Sequence, residues 1–254
     1  MRREYIDSMP NLSATWLSAL RQQRRAWLDA LPSQCAVCHR WPGPRICKDC
    51  SLRWAAITHR CQTCAMPLAA TASVCGSCLG QPPPLRQCIA VLDYAYPWQE
   101  VIGRYKFQSD LGLVRSLSRL LAENTEVQHL LHNCDALLPV PASDTRLRER
   151  GFDHTRLLAA SLLTQSDSAL PLLTRTVQRQ HIAQSQHAST RAQRLRQLRG
   201  AFSLQPGQQA AIEGHRLLLL DDVMTTGATL NALADCLLHA GAASVSAVVL
   251  ARTA

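Results

Sequence analysis

The stretch Leu217-Leu218-Leu219-Leu220-Asp221-Asp222-Val223-Met224-Thr225-Thr226-Gly227-Ala228-Thr229 decides the fold. Its four leading apolar residues read as a buried strand, two adjacent carboxylates stand at the strand's carboxyl end, and a Thr/Gly-rich turn follows. The turn leads into the amphipathic run Leu230-Asn231-Ala232-Leu233-Ala234-Asp235-Cys236-Leu237-Leu238, which reads as a helix. The segment is therefore a strand, a binding loop and a helix.

The residue types of the loop set its chemistry. Small residues let the backbone curl around an anion, the N–H groups of the turn and of the first helical turn point at it, and Thr hydroxyls add donors. A phosphate monoester fits such a cradle. Two carboxylates beside it need vicinal hydroxyls or a divalent cation to face, and a sugar phosphate supplies both needs. The plainer reading is a strand-turn-helix corner with an N-cap at Thr225 or Thr226. The stretch resembles the signature of type I phosphoribosyltransferases, which bind phosphoribosyl pyrophosphate (PRPP), at every specified position. That resemblance implies Asp221 and Asp222 as the catalytic pair on the ribose hydroxyls, directly or with a metal's help. It also implies Met224, Thr225, Thr226, Gly227, Ala228 and Thr229 as the binding site of the 5′-phosphate.

With 254 residues, 47% of them apolar, the chain suits one full-sized domain and a smaller module. No apolar run reaches the roughly 18 residues of a membrane span, and the start Met1-Arg2-Arg3-Glu4-Tyr5-Ile6-Asp7 lacks a signal peptide's apolar core. A cytoplasmic protein without a membrane span is expected. The net charge of +9 comes almost wholly from Arg, because Lys occurs only at positions 48 and 106. Residues 1–84 carry ten basic and four acidic side chains (+6), and the remainder carries seventeen and fourteen (+3). The bias suits a nucleic-acid partner, and also an enzyme for polyphosphates.

Residues 1–34 are expected to form a helical extension, with Trp16, Leu17, Leu20, Trp27, Leu28 and Leu31 at helical spacing and Arg21, Arg24 and Arg25 on another face. Four Cys-x-x-Cys pairs follow: Cys35/Cys38, Cys47/Cys50, Cys61/Cys64 and Cys75/Cys78. Two thiolates separated by two residues reach one ion, and two such turns complete a tetrahedral site of four sulfurs, so four pairs make two zinc sites. Sequential pairing is favoured, with an interleaved arrangement left open. A thioredoxin-like redox pair leaves the repetition unexplained. Cys35-Ala36-Val37-Cys38-His39 matches a c-type haem attachment motif, which needs export, and iron–sulfur ligation uses the same set of four cysteines as zinc. Zinc is preferred because a module this small needs a metal for stability. Cys88, Cys134 and Cys236 fall outside the pairs and read as small buried residues. The triple proline at 82–84 closes the module as a stiff spacer over 81–84.

Residues 85–254 alternate strands and helices. Strands are expected over 86–96, 135–141, 170–176, the signature and 244–250, and helices over 98–107, 110–124, from 155 and after the signature. This implies an α/β fold, a mainly parallel sheet with helices on both faces, binding its ligand at the carboxyl ends of the strands. Two loops invite a charged ligand. Arg146, Arg148 and Arg150 lie just beyond the 135–141 strand and could hold a pyrophosphate leaving group. The polar stretch 178–200, with Gln186, His187 and Arg194, suits a lid over a charged substrate or an exposed basic helix.

Together these features resemble the ComF/GntX-type proteins of competence and DNA utilisation, which join a double zinc-ribbon module to a type I phosphoribosyltransferase-like domain. The resemblance runs from Cys35 onward through the Cys pairs, Tyr105-Lys106-Phe107, Pro139-Val140-Pro141, Arg148-Glu149-Arg150-Gly151-Phe152, Gln186-His187, Gly200-Ala201-Phe202 and the signature. The chain departs from the pattern at Asp153-His154, where Asn-Gln is common, and at Gln197, where Asn is common. The resemblance implies a Mg²⁺-assisted displacement of pyrophosphate at C1 of PRPP, in a role in DNA uptake. Single-stranded DNA and competence or helicase-type proteins are the implied partners. The alternative is a nucleic-acid-binding accessory factor that senses PRPP without turnover. No residue of the sequence stands out as a base or names an acceptor.

Overall fold

Leu217, Leu218, Leu219 and Leu220 are all fully buried, as expected of a strand covered on both faces. They belong to β5 (Arg216–Met224), an inner strand of a four-stranded sheet. The computed structural model describes residues 32–56, 58–69, 72–179 and 200–253, with the side chains of Asp144 and Arg146 outside that description. The chain divides into two compact units after Cys47.

The sheet runs β1 (Cys88–Asp93), β6 (Ser244–Arg252), β5, β2 (Ala136–Pro139), with every pairing parallel. Parallel neighbours need crossovers, which the helices supply. Between β1 and β2 lie α3 (Trp98–Phe107), a 3-10 turn at Leu111–Leu113, α4 (Val114–Ala122) and α5 (Thr125–Asn133). Between β2 and β5 lie α6 (Asp144–Arg150), α7 (His154–Gln165) and an antiparallel pair, β3 (Val177–Arg179) with β4 (Phe202–Leu204). The crossover from β5 to β6 is α8 (Ala228–His239). One face of the sheet buries Leu217, Leu219, Val245, Val249 and Ala90 against Leu230, Leu233 and Leu237 of α8 and Phe202 of β4. On the other, α7 packs on α4, β2 and β5.

Two short helices precede the sheet, α1 (Lys48–Trp54) and α2 (Gly76–Gly80), each carrying the second Cys of a pair, Cys50 and Cys78. In the first unit Ser33 and Gly43 form an antiparallel bridge, and the Ala36 N–H donates to the Arg45 carbonyl at 2.8 Å.

The mainly parallel sheet with helices is the fold the sequence implies. Its details differ in three places. The helix expected over 110–124 begins as a 3-10 turn at Leu111–Leu113, and α5 follows it as a separate helix capped by Asn124, whose side chain accepts from the Val127 N–H at 3.1 Å. The strand expected over 170–176 is reduced to a bridge between Leu172 and Leu137. Residues 144–150, read as loop, form α6. The helix expected around Trp16 and Trp27 lies outside the described residues, as does most of the polar stretch with Gln186, His187 and Arg194.

Candidate functional site

β5 delivers its two carboxylates to opposite faces of the sheet, because successive side chains of a strand alternate. Asp221 follows Leu217 and Leu219 and is half-buried, and Asp222 follows Leu218 and Leu220 and is buried. Asp222 is enclosed by donors. Lys106, at the end of α3, reaches its Oδ1 at 2.9 Å, and Nε2 of His154, the first residue of α7, contacts its Oδ2. Nη1 of Arg150 lies 3.1 Å from Nδ1 of His154. A guanidinium only donates, so Nδ1 accepts and Nε2 carries the proton that bonds Asp222. The carboxylate also accepts the Val223 N–H at 2.6 Å. Burial pushes Asp222 up, but the His154 hydrogen bond and the Lys106 charge outweigh it and hold the carboxyl down, at about 2.

Asp221 has the opposite fate. Burial and the neighbouring Asp222 charge raise it to about 7, against the Asp222 N–H that donates to it at 2.8 Å and the charges of Lys106 and Arg179. One carboxyl of the pair is thus locked into the frame, and the other is poised near the carboxyl end of an inner strand with a proton to give up.

The turn beyond β5 is shaped by Gly227, whose φ of 76° lies in the left-handed region. A Cβ there would stand 2.4 Å from Cε of Met224. Thr225 and Thr226 are exposed, and Gly227 caps the N-terminus of α8 with no side-chain capping bond. The first N–H groups of a twelve-residue helix and two Thr hydroxyls therefore gather around one corner, with Ala228 and Thr229 opening the helix. Such a corner can hold an anion.

Of the three Arg beyond the 135–141 strand, two have described side chains, and these differ in their surroundings. Arg148 is exposed on α6. Arg150 packs with its Cζ 4.9 Å from the centroid of the Phe107 ring and supports His154. The side chain of Arg146 lies outside the described residues, with Gln186, His187 and Arg194. Lys106 and His154 were absent from the candidate set. The signal for Lys106 was its rarity, one of only two Lys in the chain. Asp153, where the pattern has Asn, caps α7 by accepting the Arg156 N–H at 3.0 Å, a role open to either residue.

The Cys pairs gather sequentially. The thiols of Cys35, Cys38, Cys47 and Cys50 lie within 4.8 Å of one another, and so do those of Cys61, Cys64, Cys75 and Cys78. The Sγ–Sγ distances of 3.7 Å (Cys38–Cys47) and 3.6 Å (Cys64–Cys75) are far too long for a disulfide. They match the edge of a tetrahedron with metal–sulfur bonds of about 2.3 Å, which is about 3.8 Å. Burial raises the Cys35 and Cys61 thiols, but backbone N–H donors, foremost those of Cys38 and Cys47 for Cys35 and of Cys75 and Cys64 for Cys61, bring each down to about 6. Both clusters could hold zinc. Of the unpaired Cys, Cys88 is buried and pushed up to about 12 by that burial, while Cys134 and Cys236 are half-buried.

The phosphoribosyl transferase domain family matches residues 157–254. The DNA utilization protein YhgH of Escherichia coli K12 is 33% identical over 217 residues, covering 82% of this chain and 90% of the relative. The competence protein ComFC of Bacillus subtilis is 30% identical over 224 residues, covering 84% and 86%, and competence protein F of Haemophilus influenzae is 30% identical over 210 residues, covering 82% and 90%. The chain belongs to the YhgH/competence protein F family. Among solved structures, a hypoxanthine phosphoribosyltransferase from Staphylococcus aureus covers 54% of the chain at 16% identity with a TM-score of 0.35, too slight a likeness to add to the fold. This member of the competence protein F family carries the strand, the acidic pair and the Thr/Gly corner in one element series, and it has two four-Cys clusters. Among the described residues, no helix is long and apolar enough to cross a membrane.

Proposed function

We propose that this chain binds PRPP and acts in the uptake or utilisation of DNA, with residues 35–80 as a double zinc ribbon and 85–254 as the PRPP-binding domain. The observation that carries the reading is the corner at the end of β5. Exposed Thr225 and Thr226, Gly227 and the N-terminus of α8 follow the half-buried Asp221 within one strand-turn-helix corner. In this reading the corner takes the 5′-phosphate. Asp221 faces the ribose hydroxyls or a Mg²⁺ ion, for which carboxylate oxygen is a suitable ligand. Arg148 and Arg146, with Gln186, His187 and Arg194, remain candidates for the pyrophosphate. The names of its relatives support the link to DNA, and single-stranded DNA and competence proteins are the proposed partners. Reduced thiols in four pairs suit zinc and the cytoplasm.

When bound, Mg²⁺ would supply charge neutralisation for a departing pyrophosphate. The chain's own part is to position the sugar and to hold Asp221 at the edge of the site. For Asp222 the proposed role differs from the one the signature implies. It is proposed as a support that sets the end of β5 through Lys106 and His154, rather than as a second ribose ligand.

That engagement favours a second reading, a PRPP-sensing accessory factor without turnover, since it removes one of the two acids from the substrate. Calorimetry with PRPP and Mg²⁺, on wild type and Asp221→Ala, tests binding, and a pyrophosphate-release assay with bases, nucleotides and oligonucleotides separates the two readings. Failure of wild type to bind PRPP would remove both.

A further inference from the structure

The second Cys cluster is part of the domain that carries the candidate phosphate corner. Ala65, immediately after Cys64, is fully buried in one apolar cluster with Cys88, Met224, Leu230 and Val249. The Cys88 N–H, at the start of β1, donates to the Gln62 carbonyl at 2.8 Å. Arg60 donates to the Ala65 carbonyl at 3.1 Å and pairs with Asp93 at the other end of the same strand.

Arg252, the last residue of β6, completes this attachment and extends it. It is 4% exposed. Its Nε donates to the carbonyl of Cys64 at 3.1 Å, while Nη1 donates to the carbonyl of Met224 at 3.2 Å, to that of Thr225, and to Thr253. Among the described residues its hydrogen-bond partners are carbonyls and a hydroxyl, with no carboxylate. One planar fork thus joins the metal-binding turn to two successive carbonyls of the corner.

The geometry of the peptide gives the link its meaning. In a trans peptide the C=O of one residue and the N–H of the next point in opposite directions. Holding the Met224 and Thr225 carbonyls against Arg252 turns the Thr225 and Thr226 N–H groups away from it, on two residues that are exposed. These are donors that an anion at the corner needs. The Cys64 carbonyl is placed by the turn that Cys61 and Cys64 make, closed by the Ala65 N–H bond to the Cys61 carbonyl at 2.8 Å. An ion held by the four thiols would tie that turn to the Cys75 and Cys78 turn.

We propose that the ion of the Cys61/Cys64/Cys75/Cys78 cluster, acting through Arg252, fixes the backbone of residues 224–227 in its anion-binding conformation. Arg252 is a positioning residue and touches no ligand. That the ligand is PRPP rests on the function proposed above; the link from cluster to corner does not.

Hydrogen exchange by mass spectrometry on the full zinc-loaded chain tests the link without any ligand. Arg252→Lys keeps the charge but cannot span both sets of carbonyls, and Cys75→Ser opens the cluster without altering the turn that Arg252 touches. In each, the amides of Thr253 and Asn231, which donate to the Met224 and Gly227 carbonyls, are expected to exchange about tenfold faster, while those of residues 136–138, on the far edge of the sheet, keep their rate. Unchanged exchange at the two corner amides, or equal acceleration at the corner and in the edge strand, overturns the proposal. PRPP titration separates this claim from the function. If wild type fails to bind, the function falls and the exchange result still decides the link. If it binds, zinc at this cluster and PRPP must strengthen each other's affinity by the same factor, read by chelator competition with and without PRPP, and that factor is expected to collapse towards 1 in Arg252→Lys. Equal coupling in the two proteins overturns the role of Arg252.

Discussion

Adjacent carboxylates on a strand face opposite sides of the sheet, so Asp221 and Asp222 meet different neighbours and respond differently to pH. Asp221, raised to about 7, must lose a proton before it can face a cation. PRPP affinity in Mg²⁺ is therefore expected to climb by up to about tenfold per pH unit below 7 and to level off above it. Calorimetry across pH 5.5–8.5, on the order of three units, should show that slope in wild type and not in Asp221→Asn; the same slope in both removes Asp221 from the site. Asp222, held at about 2, gives stability that is present above the ordinary carboxylate range near 4 and is lost as pH falls through about 2. Removing it strands Lys106 and His154. Asp222→Ala is expected to cost about 3–5 kcal/mol in urea denaturation at neutral pH. His154→Gln keeps a donor for Asp222, as the family pattern has at this position, and should cost less than about 1.5 kcal/mol. Similar losses in the two variants would show that the contact with Asp222 is not what His154 supplies.

At the scale of elements, the corner between β5 and α8 depends on one backbone conformation. Gly227→Ala forces a side chain into the left-handed region and against Met224. It is expected to cost about 1–2 kcal/mol of stability and to weaken PRPP binding by at least about tenfold through the displaced N–H groups, with circular dichroism unchanged. Full affinity in Gly227→Ala would count against the corner as the phosphate site. This element was legible in the sequence because its signals are local: four Leu for a buried strand, a Gly for the turn, helical spacing after it. Elements with weaker local signals were not. α5 has few apolar anchors, Val127, Leu130 and Leu131, and follows α4 with only two residues between. The fragment at Leu172 is an edge piece, where Pro171 has no N–H for a ladder and instead accepts the Leu137 N–H at 2.9 Å. The strands β3 and β4 are three residues each, too short to show a period. The site splits the same way. The acids and the corner lie within thirteen residues, whereas Lys106 is 116 residues from Asp222 and Arg252 is 188 from Cys64, separations that only the tertiary fold closes.

Charge is a property of the whole molecule, and here it favours the N-terminal side, where residues 1–84 carry +6 of the total +9. Within that segment Arg53 lies over the Trp54 ring with its Cζ 5.1 Å from the centroid, and Trp54 meets Tyr96 edge to face at 5.5 Å. Both aromatic side chains reach the surface, Tyr96 being 62% exposed. A cation beside exposed rings is the combination that tracks a phosphate backbone while bases stack. The two parts of that chemistry are separable by salt. Affinity for single-stranded DNA, measured by fluorescence anisotropy, should fall with salt on a logarithmic slope of about −0.7 for each phosphate contacted. Arg53→Ala is expected to flatten the slope by about 0.7. Tyr96→Ala and Trp54→Ala should leave the slope alone and weaken binding by about 1–3 kcal/mol at every salt concentration. The Trp54 backbone carbonyl, which accepts the Trp98 indole N–H at 2.6 Å, survives the second substitution, so the fold at that corner is kept. If all three variants bind as wild type does, DNA does not use this surface, and the basic excess must act elsewhere on the chain.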